Sequence, residues 1–253
     1  MQIILNEKNY VEHILSKKTM EPSKTNSFLN LYARYLYHEK NLGKQSITQK
    51  LHTFMKEEYP RYHPADWTTK IETYTNRAQK YPLCQCSGVW ITERELQTIE
   101  HIQNKVLERL AFTLLCLSKF RNFQNPENQN WIHYSNHQIY TMACINTTAF
   151  EKDSNFNKLK ELGLIKYAKK INNLGIQILF ADENSERTLL IKDFRKLGYE
   201  WRLYKGEKFV RCTICGLLVK DTNGRRKYCK DCAEQQNRQK VLQRYYLEKN
   251  KAL

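Results

Sequence analysis

Glycine and proline are scarce, at 8 and 5 of 253 residues. That is too few turn-formers for a β-sandwich or a many-stranded barrel, and it suits long helices joined by few connections. No run approaches the roughly 18 apolar residues that span a bilayer; the longest apolar block, Leu110 to Leu117, lies inside a single helical pattern. The opening Met1-Gln-Ile-Ile-Leu-Asn-Glu lacks the charged region and cleavage site of a secretory signal, so the expectation is a cytoplasmic protein with no membrane contact. Acidic residues are also short: 26 Asp and Glu face 42 Lys and Arg, a formal charge of +16. A neutral small-molecule enzyme is not the default reading of such a chain. There is no phosphate-binding glycine loop, no dinucleotide glycine fingerprint and no His-Glu-x-x-His. No residue is singled out as catalytic. A metal-dependent nuclease drawing ligands from Asp182, Glu183 and Glu186 is the minority alternative.

What is present is 41% hydrophobic and 12% aromatic residues, enough to bury a core, so the class expected is mainly α. The positive charge is uneven. Residues 1–104 carry +3, residues 105–181 carry +5, residues 182–199 are neutral, and residues 200–253 carry +8. Half the excess sits in the last fifth of the chain. Charge focused on particular elements is the footprint of a polyanion site, whose binding gains from releasing condensed counterions.

The same last fifth holds Cys212-Thr-Ile-Cys215 and Cys229-Lys-Asp-Cys232, separated by the 13 residues Gly216 to Tyr228. Each CxxC pair turns two thiolates onto one ion, and two pairs complete a tetrahedral Zn²⁺ shell. Four thiolates with no open position indicate a structural zinc. Leu217 to Lys220 and Arg225 to Tyr228 flank Asp221-Thr222-Asn223-Gly224, the pattern of a hairpin with turn chemistry at its tip. A run free of glycine and proline then reads as helix to Leu253. Knuckle, hairpin and helix together resemble a treble-clef or zinc-ribbon finger over residues 209–250. Its candidate nucleic-acid contacts are Arg225, Arg226, Lys227, Lys230, Arg238, Lys240 and Arg244, with Tyr245 and Tyr246 beside them. Cys116 and Cys144 sit in apolar blocks and read as buried small hydrophobes. Cys84-Gln-Cys86 has the wrong spacing for a knuckle.

From Lys105 to Phe120 apolar residues recur with almost no polar gap, predicting a nearly buried helix. A strand-like Trp131 to Tyr134 follows, then Ser135 as N-cap of a helix from Asn136 to Ala143. Thr148 and Glu151 form a capping box for the next helix, which turns Phe156, Leu159 and Leu162 inward and ends at Gly163. Leu164 to Ile171 and Gly175 to Phe180, on either side of Asn172-Asn173-Leu174, predict a hairpin. Two short helices joined by Cys144 to Thr147 have the form of a helix-turn-helix, and the whole order over residues 105–181 resembles a winged helix. In that family the second helix lies in the major groove and the wing touches phosphates. The resemblance therefore points to Lys152, Asn155 and Lys158 as solvent-side groups on the helix, to Thr147 and Thr148 as phosphate ligands at its start, and to Lys166, Lys169, Lys170, Asn172 and Asn173 in the wing.

Residues 1–83 read as a helical N-terminal domain, with helices near Glu7–Ser16, Ser23–Glu39, Ser46–Tyr59 and Asp66–Tyr81, punctuated by Gly43 and Pro60. Its low charge favours scaffold or protein contact. Residues 84–104 form a connector and a helix capped by Thr92 and Glu95, residues 105–199 the winged-helix-like domain, and residues 200–253 the finger with its basic helix. In overall style the chain resembles DNA-binding proteins of phages and mobile elements of low-GC bacteria. The function expected is zinc-containing binding of duplex DNA, in a replication or regulatory role. The alternative is an RNA- or protein-binding inhibitor or adaptor of a ribonucleoprotein or defence machine.

Overall fold

The computed structural model describes residues 3–17, 24–59, 61–168, 175–222 and 224–251, with side chains for all of these but Lys17 and residues 245–251. Ser23, Pro60, Lys169, Lys170, Ile171, Asn172, Asn173, Leu174 and Asn223, named above, lie outside the described residues, as do the side chains of Tyr245 and Tyr246. Ten α-helices and seven short strands occur among the described residues, a mainly α protein with small antiparallel sheets. No described helix is long and apolar enough to cross a membrane. The chain divides into two compact units, Ile4–Ser87 and a second that begins at Gly88.

The first unit holds α1 (Glu7–Lys17), α2 (Thr25–His38), α3 (Lys44–Glu58) and α4 (Pro64–Ala78), the four helices the periodicity predicts. Pro64 sits at the first turn of α4, where its missing N–H costs nothing. The apolar stripes meet in a core of Phe28, Leu29, Ile47, Leu51, Met55 and Ile71. Phe28 packs on Tyr32 and Phe54 at ring-centroid distances of 5.8 and 5.2 Å, so these aromatics are committed to packing. Arg34 ties the two ends of the unit together: its guanidinium pairs with Glu7 at 2.6 Å and donates to the Tyr81 carbonyl at 2.9 Å.

The second unit is organised around α6 (Lys105–Gln124). Asn104 caps it, accepting from the Val106 and Leu107 N–H groups at 3.0 and 3.1 Å, and every residue from Leu110 to Ser118 is buried. Each large apolar side chain so buried contributes about 1.5–3 kcal/mol. The two hydroxyls inside that run, Thr113 and Ser118, donate to carbonyls of their own helix, Arg109 and Leu115, at 2.8 and 2.9 Å, which is why a polar group is tolerated there. Against α6 pack β1 (Val89–Thr92) and α5 (Glu93–Glu100), β2 (Trp131–Ile132), α7 (Asn136–Met142), α8 (Ala149–Glu161), β4 (Ile176–Ile178) and α9 (Leu197–Tyr204).

The predicted caps form: Thr92 with Glu95, Ser135 with Gln138, and Thr148 with Glu151 each make a reciprocal capping box, and Gly163 takes a positive φ of 71° just beyond α8. Strand β3 (Ile165–Tyr167) pairs antiparallel with β4, which pairs on its other edge with β2, giving the order β2-β4-β3. The neutral stretch after residue 181 supplies β5 (Arg187–Ile191), antiparallel to β1, and α9, whose Trp201 is fully buried and donates its indole N–H to Glu108 at 3.1 Å.

Candidate metal centre and basic surface

Two short strands and a helix gather the four cysteines. Strands β6 (Phe209–Arg211) and β7 (Leu218–Lys220) pair antiparallel, with Val210 opposite Val219, and the first CxxC forms the turn between them. There the Cys212 N–H donates to the Leu217 carbonyl at 2.9 Å and the Gly216 N–H to the Cys212 carbonyl at 2.8 Å. Gly216 closes that knuckle at φ +71°, a left-handed conformation in which a side chain would be strained. Cys229 precedes α10 (Lys230–Lys251) and Cys232 lies in its first turn.

The hairpin expected between residues 217–220 and 225–228 is not the one that forms. β7 takes β6 as its partner, because the knuckle sets Cys212 opposite Leu217 and carries the ladder back to Phe209. Residues 225–227 instead run beside the knuckle, where the Lys227 carbonyl accepts from Thr213 N–H at 3.0 Å. The turn chemistry itself holds, with Gly224 at φ +68° and its N–H on the Asp221 carboxylate at 2.9 Å.

The sulfur atoms of Cys212, Cys215, Cys229 and Cys232 all lie within 4.8 Å of one another, with Cys215 and Cys229 Sγ at 3.7 Å. Tetrahedral bonds of about 2.3 Å to zinc place sulfur atoms roughly 3.8 Å apart. The donor set therefore fits, and the cluster can hold a metal ion such as zinc. Electrostatics point the same way. Burial, followed by its three thiol neighbours, pushes the Cys232 thiol far above its ordinary range, and burial raises Cys229. Burial acts upward on Cys212 as well, but backbone N–H groups at Cys215, Cys229 and Ile214 bring it down to about 6. Four thiolates this close repel unless a cation lies among them.

The cluster is seated on the helical core by groups that no local pattern announces. Arg195 Nη2 donates to the Cys215 carbonyl at 2.8 Å and to Asp193 at 2.6 Å. Arg211, at the end of β6, pairs at 2.9 Å with Glu200 of α9, a carboxyl whose pKa burial raises. Cys84 and Cys86 belong to the first unit, where Cys86 is buried and the Cys84 N–H donates to Glu7 at 2.7 Å. No second metal-ligand cluster gathers around them among the described residues. Asp182, Glu183 and Glu186 likewise form no such group there; Asp182 accepts instead from Ser185 and from the Asn184 N–H at 3.0 Å.

No family model matches the chain. No curated protein and no solved structure matches it either.

The remaining candidate residues fall into two sets. On α8, Lys158 is exposed, but Lys152 and Asn155 are half-buried: Lys152 Nζ sits 5.5 Å from the centroid of the Tyr140 ring, and the Tyr140 hydroxyl, whose pKa burial pushes up to about 12 while Asn155 acts to lower it, donates to the Lys152 carbonyl at 3.0 Å. They are not the solvent-side groups the pattern suggests, because buried Phe156 and Leu159 rotate the helix so that Phe150, Asp153, Asn157 and Glu161 face outward. Thr147 and Thr148 both meet the Glu151 carboxylate, which their hydrogen bonds hold below the usual carboxylate range. Lys166 is exposed on β3. In the C-terminal segment, Arg225, Arg226, Lys227, Lys230, Arg238, Lys240 and Arg244 are all exposed.

Proposed function

We propose that this chain binds nucleic acid, with duplex DNA as the preferred form, and that a structural Zn²⁺ held by Cys212, Cys215, Cys229 and Cys232 organises its basic C-terminal segment. The observation that carries the reading is the composition of that segment: from Arg225 to Arg244 there are seven basic residues against two acidic ones, and all seven are exposed. Surface charge of one sign, concentrated on one element, attracts phosphate backbones. The order α6, β2, α7, α8, β3, β4, with sheet order β2-β4-β3, supports reading the centre of the chain as a winged helix given to the same task.

The test is mobility shift of the zinc-loaded full chain on a mixed-sequence duplex, a single strand and a structured RNA of equal length. Duplex binding that weakens steeply between about 50 and 200 mM salt is the expected result; no shift, or an affinity indifferent to salt, overturns the reading. One observation favours a protein partner instead: Phe150, at the start of α8, is 83% exposed on a face that also carries Asp153 and Glu161. Loss of a protein partner on Phe150→Ser, with nucleic-acid binding absent from the wild type, would move the assignment there.

A further inference from the structure

The helix that leaves the thiol cluster is anchored to it at its first turn. α10 has 22 residues, a length of about 33 Å. Cys232 is buried and Ala233 and Gln236 are half-buried, but from Asn237 to Arg244 every side chain is exposed, including Val241 at 63%. A water-exposed helix is normally stabilised by a packed apolar stripe or by a ladder of opposite charges. From Asn237 to Arg244 the described side chains form no packed stripe, and among the described residues no ion pair falls on α10.

At 100° per residue, Lys230, Arg238, Lys240 and Arg244 share one half of the helix with Ala233, Glu234, Asn237 and Val241. Asp231, Cys232, Gln235, Gln236, Gln239, Leu242 and Gln243 lie on the other half. Positive charge without partners and a helix without packing thus coincide on one segment. A phosphate backbone answers both, since each phosphate neutralised releases a counterion and removes repulsion along the helix.

α8 presents a different face. Its three lysines, 152, 158 and 160, are matched by Glu151, Asp153 and Glu161, so its exposed Lys158 and Lys160 stand among exposed carboxylates.

Everything basic at this end hangs on the cysteines. Lys227 precedes Cys229 by two residues and its carbonyl is pinned to the first knuckle through Thr213; Lys230 follows Cys229 directly. Because the first turn of a helix is its costly step, closing four thiolates on one ion, which fixes Cys229 and Cys232, supplies the nucleus from which α10 extends.

We propose that α10 with the turn Arg225–Lys227 is the principal duplex-binding element of this chain, and that metal binding by the four cysteines and duplex binding by α10 reinforce each other. The proposal rests on the nucleic-acid reading above. It implies reciprocity: the factor by which zinc tightens the duplex equals the factor by which the duplex tightens zinc.

The test uses the full chain, zinc-loaded and chelator-stripped, on a mixed-sequence duplex across a salt series. Zinc affinity is measured against a chromophoric chelator with and without that duplex. The combined variant Arg238→Gln, Lys240→Gln, Arg244→Gln should keep one zinc per chain yet reduce the log–log salt slope by about 3. Lys50→Gln with Lys56→Gln, two exposed lysines of α3 in the first unit, should leave the slope unchanged. An undiminished slope in the α10 variant while the wild type binds overturns the placement on α10. Zinc affinity unmoved by duplex, or duplex affinity unmoved by stripping the metal, overturns the coupling. Tighter binding of structured RNA than of duplex, lost with the same three residues, overturns duplex as the ligand. A wild-type chain that binds no nucleic acid overturns the underlying reading itself.

Discussion

Gly198 of α9 lies so close to the end of α7 that a Cβ built on it would stand 1.8 Å from the carbonyl oxygen of Ala143. That contact sets the turn between α7 and α8, whose next residue, Cys144, has a left-handed φ of 54° and gives its carbonyl to Arg109 Nη1 at 2.9 Å. The atom in the way is backbone, so it cannot swing aside. Gly198→Ala should therefore destabilise the second unit by about 2–3 kcal/mol despite alanine's better helix propensity. Urea unfolding, compared with the wild type, is the check. An unchanged midpoint would mean that α9 and α7 are not packed this closely.

Arg195 offers a second check, on the seating of the cysteine cluster. Its guanidinium spans Asp193 and the Cys215 carbonyl, so it orients a ligand without touching the metal. Groups of this kind are worth about 10- to 100-fold in metal affinity. Arg195→Ala should weaken zinc by that order while leaving stoichiometry at one. Arg195→Lys should recover little, because a single ammonium cannot reproduce the planar fork. Chelator competition reads both.

Glu95 is fully buried, and its carboxylate receives Lys119 Nζ at 2.9 Å, the Asp182 N–H at 2.7 Å and the Thr92 N–H at 2.8 Å. Glu95→Ala strands a largely buried ammonium and two amides, at a cost of about 3–5 kcal/mol. The double variant Glu95→Gln, Lys119→Met keeps the shape without the charges and should cost less than either single change to Ala. A double-mutant cycle on unfolding free energies decides it, additive costs being the contrary result.

Metal removal should be visible in both structure and pH. Cys229→Ser leaves three thiolates and releases the ion, unfolding the C-terminal segment, because the binding energy of a structural site is folding energy; stoichiometric zinc retained in that variant would contradict the assignment. Loading must also displace protons. The Cys232 and Cys229 thiols are raised and so protonated at neutral pH, and metal affinity should fall as pH falls. It should fall more steeply below about 6, where the Cys212 thiol gains its proton too. Titration calorimetry in buffers of different ionisation enthalpy counts the protons released.

Much of this was legible because it is local. A 3.6-residue repeat dense enough to bury all sides identifies α6, and Thr148 with Glu151 or Thr92 with Glu95 marks a helix start from four consecutive residues. Two CxxC pairs 13 residues apart mark four cysteines that could hold one ion, and the fold brings these four together. The charge map is likewise a property of the chain alone. The facing of α8 was not legible, because residues 152 and 155 become half-buried only once Tyr140 is placed against them. The partner of β7 was not legible either, since residues 209–211 and 225–228 are both plausible neighbours until the knuckle chooses.

By itself, then, the sequence determined the elements that depend on near neighbours: helix positions, caps, the four ligands and the sign of the C-terminal charge. Tertiary structure decided what depends on residues far apart in the chain. It paired β1 with β5 across some 95 residues, set Gly198 on Ala143 and seated Cys215 on Arg195. It also turned Lys152 and Asn155 of α8 toward Tyr140. The physical reason is that burial and backbone hydrogen bonding, not composition, decide which way a side chain faces, and both are settled only when distant segments meet.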